Sequence, residues 1–110
     1  MREPTFWILT ALAARPLHGY GVIQDVSAMS GGEVTLQAGT LYAALDRLAA
    51  EGLVQVDREE QVDGRTRRYY RLTDSGAAAL DAETERLRRN VQAALAARRE
   101  GFGPAGVQPA

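Results

Sequence analysis

The chain has 110 residues, 13 arginines with no lysine, 14 acidic residues and a formal charge of −1. That length fits one domain with a modest core, which a partner subunit would help to stabilise. The absence of cysteine excludes disulfides, thiolate metal sites and a cysteine nucleophile, and the single histidine, His18, has no partner set for a metal site or a catalytic triad.

Residues 4–14 read as a helix, with Pro4 in its first turn. Phe6, Trp7, Ile8, Leu9, Leu12 and Ala13 leave almost no polar face, which predicts burial on more than one side and a subunit contact. Pro16 ends this helix. A second helix is predicted over 18–29, with Tyr20, Ile23 and Val26 on its inner side and His18 organising the turn before it. Ser30-Gly31-Gly32 then supplies turn chemistry. The third helix covers 37–51, beginning at Thr35 or Gln37, with Leu41, Leu45 and Leu48 as its buried stripe and Gly52 as its stop.

Residues 53–58 and 67–72 read as two strands joined through Asp63-Gly64, a strong hairpin signal. Tyr70 and Leu72 share one face of the second strand, and Arg67, Tyr69 and Arg71 the other. Thr73 or Asp74 caps a long last helix over 74–100. In it Ala77, Leu80, Thr84, Leu87, Val91 and Ala94 recur at the alternating spacing of a coiled-coil seam, and Leu95 widens the stripe. Such a helix needs a partner. The remaining residues, 101–110, lack periodicity and read as a disordered tail.

The fold class is therefore mainly α with a small β-hairpin: a winged helix-turn-helix over 1–73, then a C-terminal dimerisation helix over 74–100. The third helix has the right size for a DNA major groove. Its outward side offers Gln37, Thr40 and Tyr42, with Ala43 and Ala44 small enough for close approach. The wing supplies charge. Residues 1–63 carry a net −5 and residues 64–110 a net +4, and the stretch from Gly64 to Arg71 holds Arg65, Arg67, Arg68 and Arg71 with no acid. Phosphate contact and the protection of a solvated edge strand both account for that run.

The run Gly39-Thr40-Leu41-Tyr42-Ala43-Ala44-Leu45-Asp46-Arg47-Leu48, continuing to Glu51-Gly52-Leu53-Val54, resembles the PadR family of transcription regulators. So do His18-Gly19-Tyr20, Gly64-Arg65, and Arg68-Tyr69-Tyr70-Arg71-Leu72-Thr73 followed by Gly76. Together they span residues 6 to about 80 in register. The single last helix matches the small-subunit branch. The resemblance implies a homodimer held by the first and last helices on a palindromic operator in double-stranded DNA, usually as a repressor. It places Gln37, Thr40 and Tyr42 on the recognition helix and Arg65 and Arg67 on the wing. Dimer contacts are expected from Phe6, Leu9, Leu80, Leu87, Val91 and Leu95. Release by a small aromatic or drug-like effector is expected at Phe6 and Trp7, because an aromatic ring at a helix-lined interface can stack a flat ligand. The chain departs from the family pattern at Ala43, where proline is common, and at Asp46, where a basic residue is frequent.

Neither enzyme activity nor a cofactor is expected. Asp57, Glu59, Glu60 and Asp63 fall on an exposed hairpin without the burial that raises a carboxyl pKa. No apolar run approaches the roughly 20 residues of a membrane span, and Met1-Arg2-Glu3-Pro4 does not read as a signal peptide, so a cytoplasmic protein is expected. The rival reading is a winged-helix protein-interaction module without specific DNA binding.

Overall fold

The computed structural model describes residues 1–101. Seven elements follow one another: α1 (Glu3–Ala14), β1 (Leu17–His18), α2 (Gly19–Met29), α3 (Ala38–Ala50), β2 (Val54–Val62), β3 (Arg65–Leu72) and α4 (Asp74–Glu100). The four helices and the hairpin fall where the sequence puts them. The expected disordered tail lies, from residue 102 onward, outside the described residues.

Two units are distinguished, Met1–Leu80 and the rest of the chain from Asp81. In the first, α1 packs against α2 and β3, and α2 packs against α3. Ile8 and Leu9 of α1, Val22 and Val26 of α2, Leu41, Leu45 and Leu48 of α3, and Val54 of β2 are its largest fully enclosed side chains. Each such burial contributes roughly 1.5–3 kcal/mol. The leucine stripe of α3 therefore holds the helix down and leaves its opposite face to solvent.

The sheet is larger than a hairpin. β1 adds a third strand, giving the antiparallel order β1-β3-β2, with Leu17 opposite Tyr70 and His18 opposite Tyr69. Both hairpin strands also run further toward the tip than their apolar pattern indicates, because paired polar residues continue the ladder. Asp63 (φ 51°) and Gly64 (φ 75°) close the tip with the two left-handed residues of a type I′ turn. A bulge lies between Val56 and Arg58.

Expected and observed burial differ in α2. Tyr20 is 63% exposed, and the enclosed residues are Gly19, Gly21, Val22 and Val26. His18 caps this helix: its Nδ1 accepts from the Gly21 N–H at 3.2 Å. Thr73 caps α4, its Oγ1 accepting from the Gly76 N–H at 2.9 Å and donating to the Gly52 carbonyl at 2.7 Å. The Thr73 N–H also donates to the Leu53 carbonyl at 3.1 Å. Gly76 meets the Leu53 carbonyl so closely that no side chain fits there. One residue thus ties the exit of α3 to the entry of α4. Beyond residue 80, α4 carries charge pairs on neighbouring turns, Arg86 with Glu83 (2.6 Å) and Arg88 with Glu85 (2.9 Å). The Arg86 guanidinium holds the Glu83 carboxyl below its ordinary pKa.

Candidate nucleic-acid interface

Within the first unit a cleft of about 590 Å³ opens between α2, α3 and the wing, lined by His18, Tyr20, Tyr42, Val62, Asp63, Arg65, Thr66, Arg67 and Arg68. It brings three of the expected contact residues together: Tyr42 from α3, and Arg65 and Arg67 from β3. Gln37 and Thr40 lie elsewhere, beside a separate depression of about 300 Å³ that Glu3 and Glu33 also line.

Helical geometry explains that division. Thr40 and Tyr42 are two residues, and so about 200° of rotation, apart on α3. They flank an exposed strip that includes Gly39, Ala43 and Asp46. A side chain built at Gly39 would meet nothing, so the helix backbone there is bare to solvent. Gln37 is the N-cap residue, yet its side chain makes no capping bond and stays available. Tyr42 is 47% exposed, and its ring lies over Gly19 with the hydroxyl too close for any side chain at that position. The glycine at the start of α2 thus sets where the tyrosine of α3 stands. Arg47, the remaining cation of α3, is held by Thr5 of α1 (3.0 Å) and by Glu51 (3.3 Å).

The four wing arginines are not equivalent. Arg68 pairs with Glu59 directly across the ladder (3.2 Å), and Arg71 approaches Asp57 (3.8 Å). Hydrogen bonding to Tyr70 and to Glu59 holds the Arg68 pKa above its ordinary value. Arg58, from the acidic strand, bonds Glu60 (3.0 Å) and Asp57 (3.1 Å) and lies 3.9 Å above the Tyr69 ring. Its hydrogen bond to Glu60 holds that carboxyl below the usual range. Arg65 and Arg67 make no hydrogen bond or ion pair among the described residues, and both are exposed. Both line the cleft; Arg67 stands opposite Glu60 on the ladder, whose carboxylate feels its charge, while Arg65 stands opposite Val62. No acid in the stretch from Gly64 to Arg71 marks this difference; the partners come from the opposite strand.

Sequence reasoning missed two lining residues. Tyr20 reads as core, and His18 reads as part of a turn. His18 sits edge-on to Tyr69, with ring centroids 5.2 Å apart. Burial, and then the charge of Arg67, hold its imidazole pKa below the ordinary value. The only signal for either residue is their adjacency in His18-Gly19-Tyr20.

The residues expected at a subunit contact divide as well. Leu9 is 0% exposed. Leu80 is half-buried and packs on the same core. Phe6 and Trp7 are half-buried, with rings edge-to-face at 5.5 Å, and Trp7 Nε1 donates to Glu3 at 3.3 Å. Val91 and Leu95 are 56% and 55% exposed, and Leu87 is intermediate. Among the described residues, no cluster of His, Asp and Glu is arranged to hold a metal ion, and no helix is long and apolar enough to cross a membrane.

Comparison with known proteins places these features. The model of the transcriptional regulator PadR-like family matches residues 8–82. The Mycobacterium tuberculosis transcriptional regulator Rv3488 is 40% identical over 80 residues, covering 73% of this chain and 71% of that protein. The crystal structure of a PadR family transcription regulator from Clostridium difficile R20291 superposes with a TM-score of 0.68 at 25% identity, over 81% of this chain and 91% of the other. Bacillus subtilis PadR, solved in complex with operator DNA, gives 0.68 at 27% identity, over 76% of this chain and 48% of that one. With its family model covering α2, α3, the wing and the start of α4, this chain belongs to the PadR-like family of transcriptional regulators.

Proposed function

We propose that the protein is a cytoplasmic, sequence-specific DNA-binding repressor that acts as a homodimer on a palindromic operator. The observation that carries this reading is the pair of exposed arginines, Arg65 and Arg67, which make no ion pair among the described residues and share one cleft with Tyr42 of α3. Two guanidiniums with open donors on a mostly paired surface suit phosphate oxygens, and Arg makes such contacts in bidentate form. The exposed strip of α3 suits a major groove: bare backbone at Gly39 and Ala43, with Thr40 and Tyr42 on its flanks and Gln37 free at its start. The solved complex of the related Bacillus subtilis PadR with operator DNA supports DNA as the partner of this chain.

The dimer reading draws on α4. Val91, at coiled-coil spacing from Leu87, and Leu95, which widens that stripe, are exposed apolar side chains, and a second copy of the helix would cover them. An aromatic effector would work by favouring a dimer whose two recognition helices no longer match the groove spacing of about 34 Å. Phe6 and Trp7 are the side chains offered for it.

The decisive experiment is binding to the intergenic DNA upstream of the protein's own gene, with random DNA as competitor, at physiological salt. Preferential retention of the upstream fragment is the expected result. No binding to either DNA, even at low salt, would overturn the reading in favour of a protein-interaction module.

A further inference from the structure

We propose that His18 is a DNA contact, donating a hydrogen bond from its neutral imidazole Nε2–H to a phosphate oxygen in the cleft it shares with Arg65 and Arg67. The assignment rests on the DNA-binding reading above and adds to it a residue of a different chemical kind.

The cap fixes the tautomer. Nδ1 accepts from the Gly21 N–H at 3.2 Å, so it carries no proton. The single proton of the neutral ring then belongs on Nε2. Nε2 has no hydrogen-bond partner among the described residues, and no buried side-chain nitrogen or oxygen there lacks one. Nε2 is therefore open to solvent. The solvent beside His18 is the cleft. The edge contact with Tyr69 fixes the plane of the ring, so the donor is oriented before any ligand arrives. The charged groups nearby are Arg67 and Glu60, and Arg67 together with burial opposes protonation. An imidazolium would lose the cap, whereas the neutral ring keeps both the cap and the outward donor.

A neutral donor differs from an arginine in one measurable way. An arginine on a phosphate displaces a counterion and steepens the salt dependence of binding; an uncharged N–H does not. The test is titration of a short random-sequence duplex across a salt series by fluorescence anisotropy, with thermal melting of each variant alongside. His18→Ser keeps a side-chain oxygen for the cap, and its hydroxyl is too short to place a donor where Nε2 stands. It should bind on the order of tenfold more weakly, melt as the parent does and keep the parent salt slope. Arg67→Ala should also weaken binding but lower the slope by about one unit.

Unchanged affinity in His18→Ser, with Arg67→Ala weakened, would overturn the His18 assignment alone. A lowered slope in His18→Ser would overturn the neutral-donor mechanism. Should His18→Ser melt early, His18→Asn, an equally good cap whose amide falls short of the Nε2 position, carries the comparison with the same outcomes. Absence of DNA binding by the parent would overturn the DNA reading, and the His18 contact with it.

Discussion

Helix α1 and the far half of α4 look alike as sequence, each an apolar stripe that asks for cover, yet they meet opposite fates. In α1 the stripe is consumed at home: Ile8, Leu9 and Leu12 are enclosed by the same unit that contains them. In α4 the stripe past residue 80 ends in Val91 and Leu95, more than half exposed. Apolar periodicity thus reports a demand for burial and is silent about who meets it. The arginines of the wing repeat the contrast in charge. Arg68 and Arg71 lie within ion-pair distance of carboxylates on the neighbouring strand, while Arg65 and Arg67, in the same short run, make no such pair among the described residues.

The largest effect that would break this comparison is in the core. Leu9→Ala should lower stability by about 2–5 kcal/mol, measured by urea unfolding, because its cavity has no surface through which to collapse. A loss below about 1 kcal/mol would mean that Leu9 faces a partner after all. On α4, Val91→Asp with Leu95→Asp should convert a dimer to monomers in sedimentation velocity while leaving the far-ultraviolet spectrum of the chain largely intact. A dimer that survives both charges would place the interface elsewhere.

For the wing, Arg65→Ala with Arg67→Ala should reduce the slope of log affinity against log salt by about two units. Arg68→Ala, whose charge is already matched by Glu59, should change the slope far less. Equal slopes for the two variants would erase the distinction between committed and uncommitted arginines.

The smallest effect concerns the cap. The folded-state pKa of His18 lies below its ordinary value, so folding disfavours the protonated ring. The stability this contributes is complete above the unfolded pKa of about 6.5 and is lost as pH falls from there through the folded value. The melting temperature should therefore drop more between pH 7 and pH 5.5 in the parent than in His18→Asn, whose cap does not titrate. Parallel pH profiles would argue that the capping bond is not retained in solution.

Much of the fold is legible in the sequence because its punctuation is strong. Pro16, Gly31-Gly32, Gly52 and Asp63-Gly64 each interrupt a periodic run, and the leucines of α3 recur at one helical spacing. β1 escapes such reading because two residues carry no period; only the partner strand makes Leu17 and His18 a strand. Tyr20 is misread because α2 bears apolar residues at 20, 22, 23 and 26, and the smaller Val22 claims the interior. The site is less legible than the fold. Which arginines reach a carboxylate depends on cross-strand register, and that register depends on the bulge. The position of Tyr42 depends on an absent side chain at Gly19, a contact between residues more than 20 apart in sequence.

The bulge at Asp57 has a consequence for how such a protein can change over generations. Before it, Val54 and Val56 pair with Leu72 and Tyr70, and Val54 and Tyr70 are buried in the core. After it, one inserted residue has reset the alternation, and Arg58, Glu60 and Val62 pair with Tyr69, Arg67 and Arg65 on the opposite face. The tip is thereby insulated: residues 58–68 answer to one another and to whatever they grip, not to the hydrophobic interior. A lineage can therefore rewrite those side chains while the folding of the domain beneath stays the same.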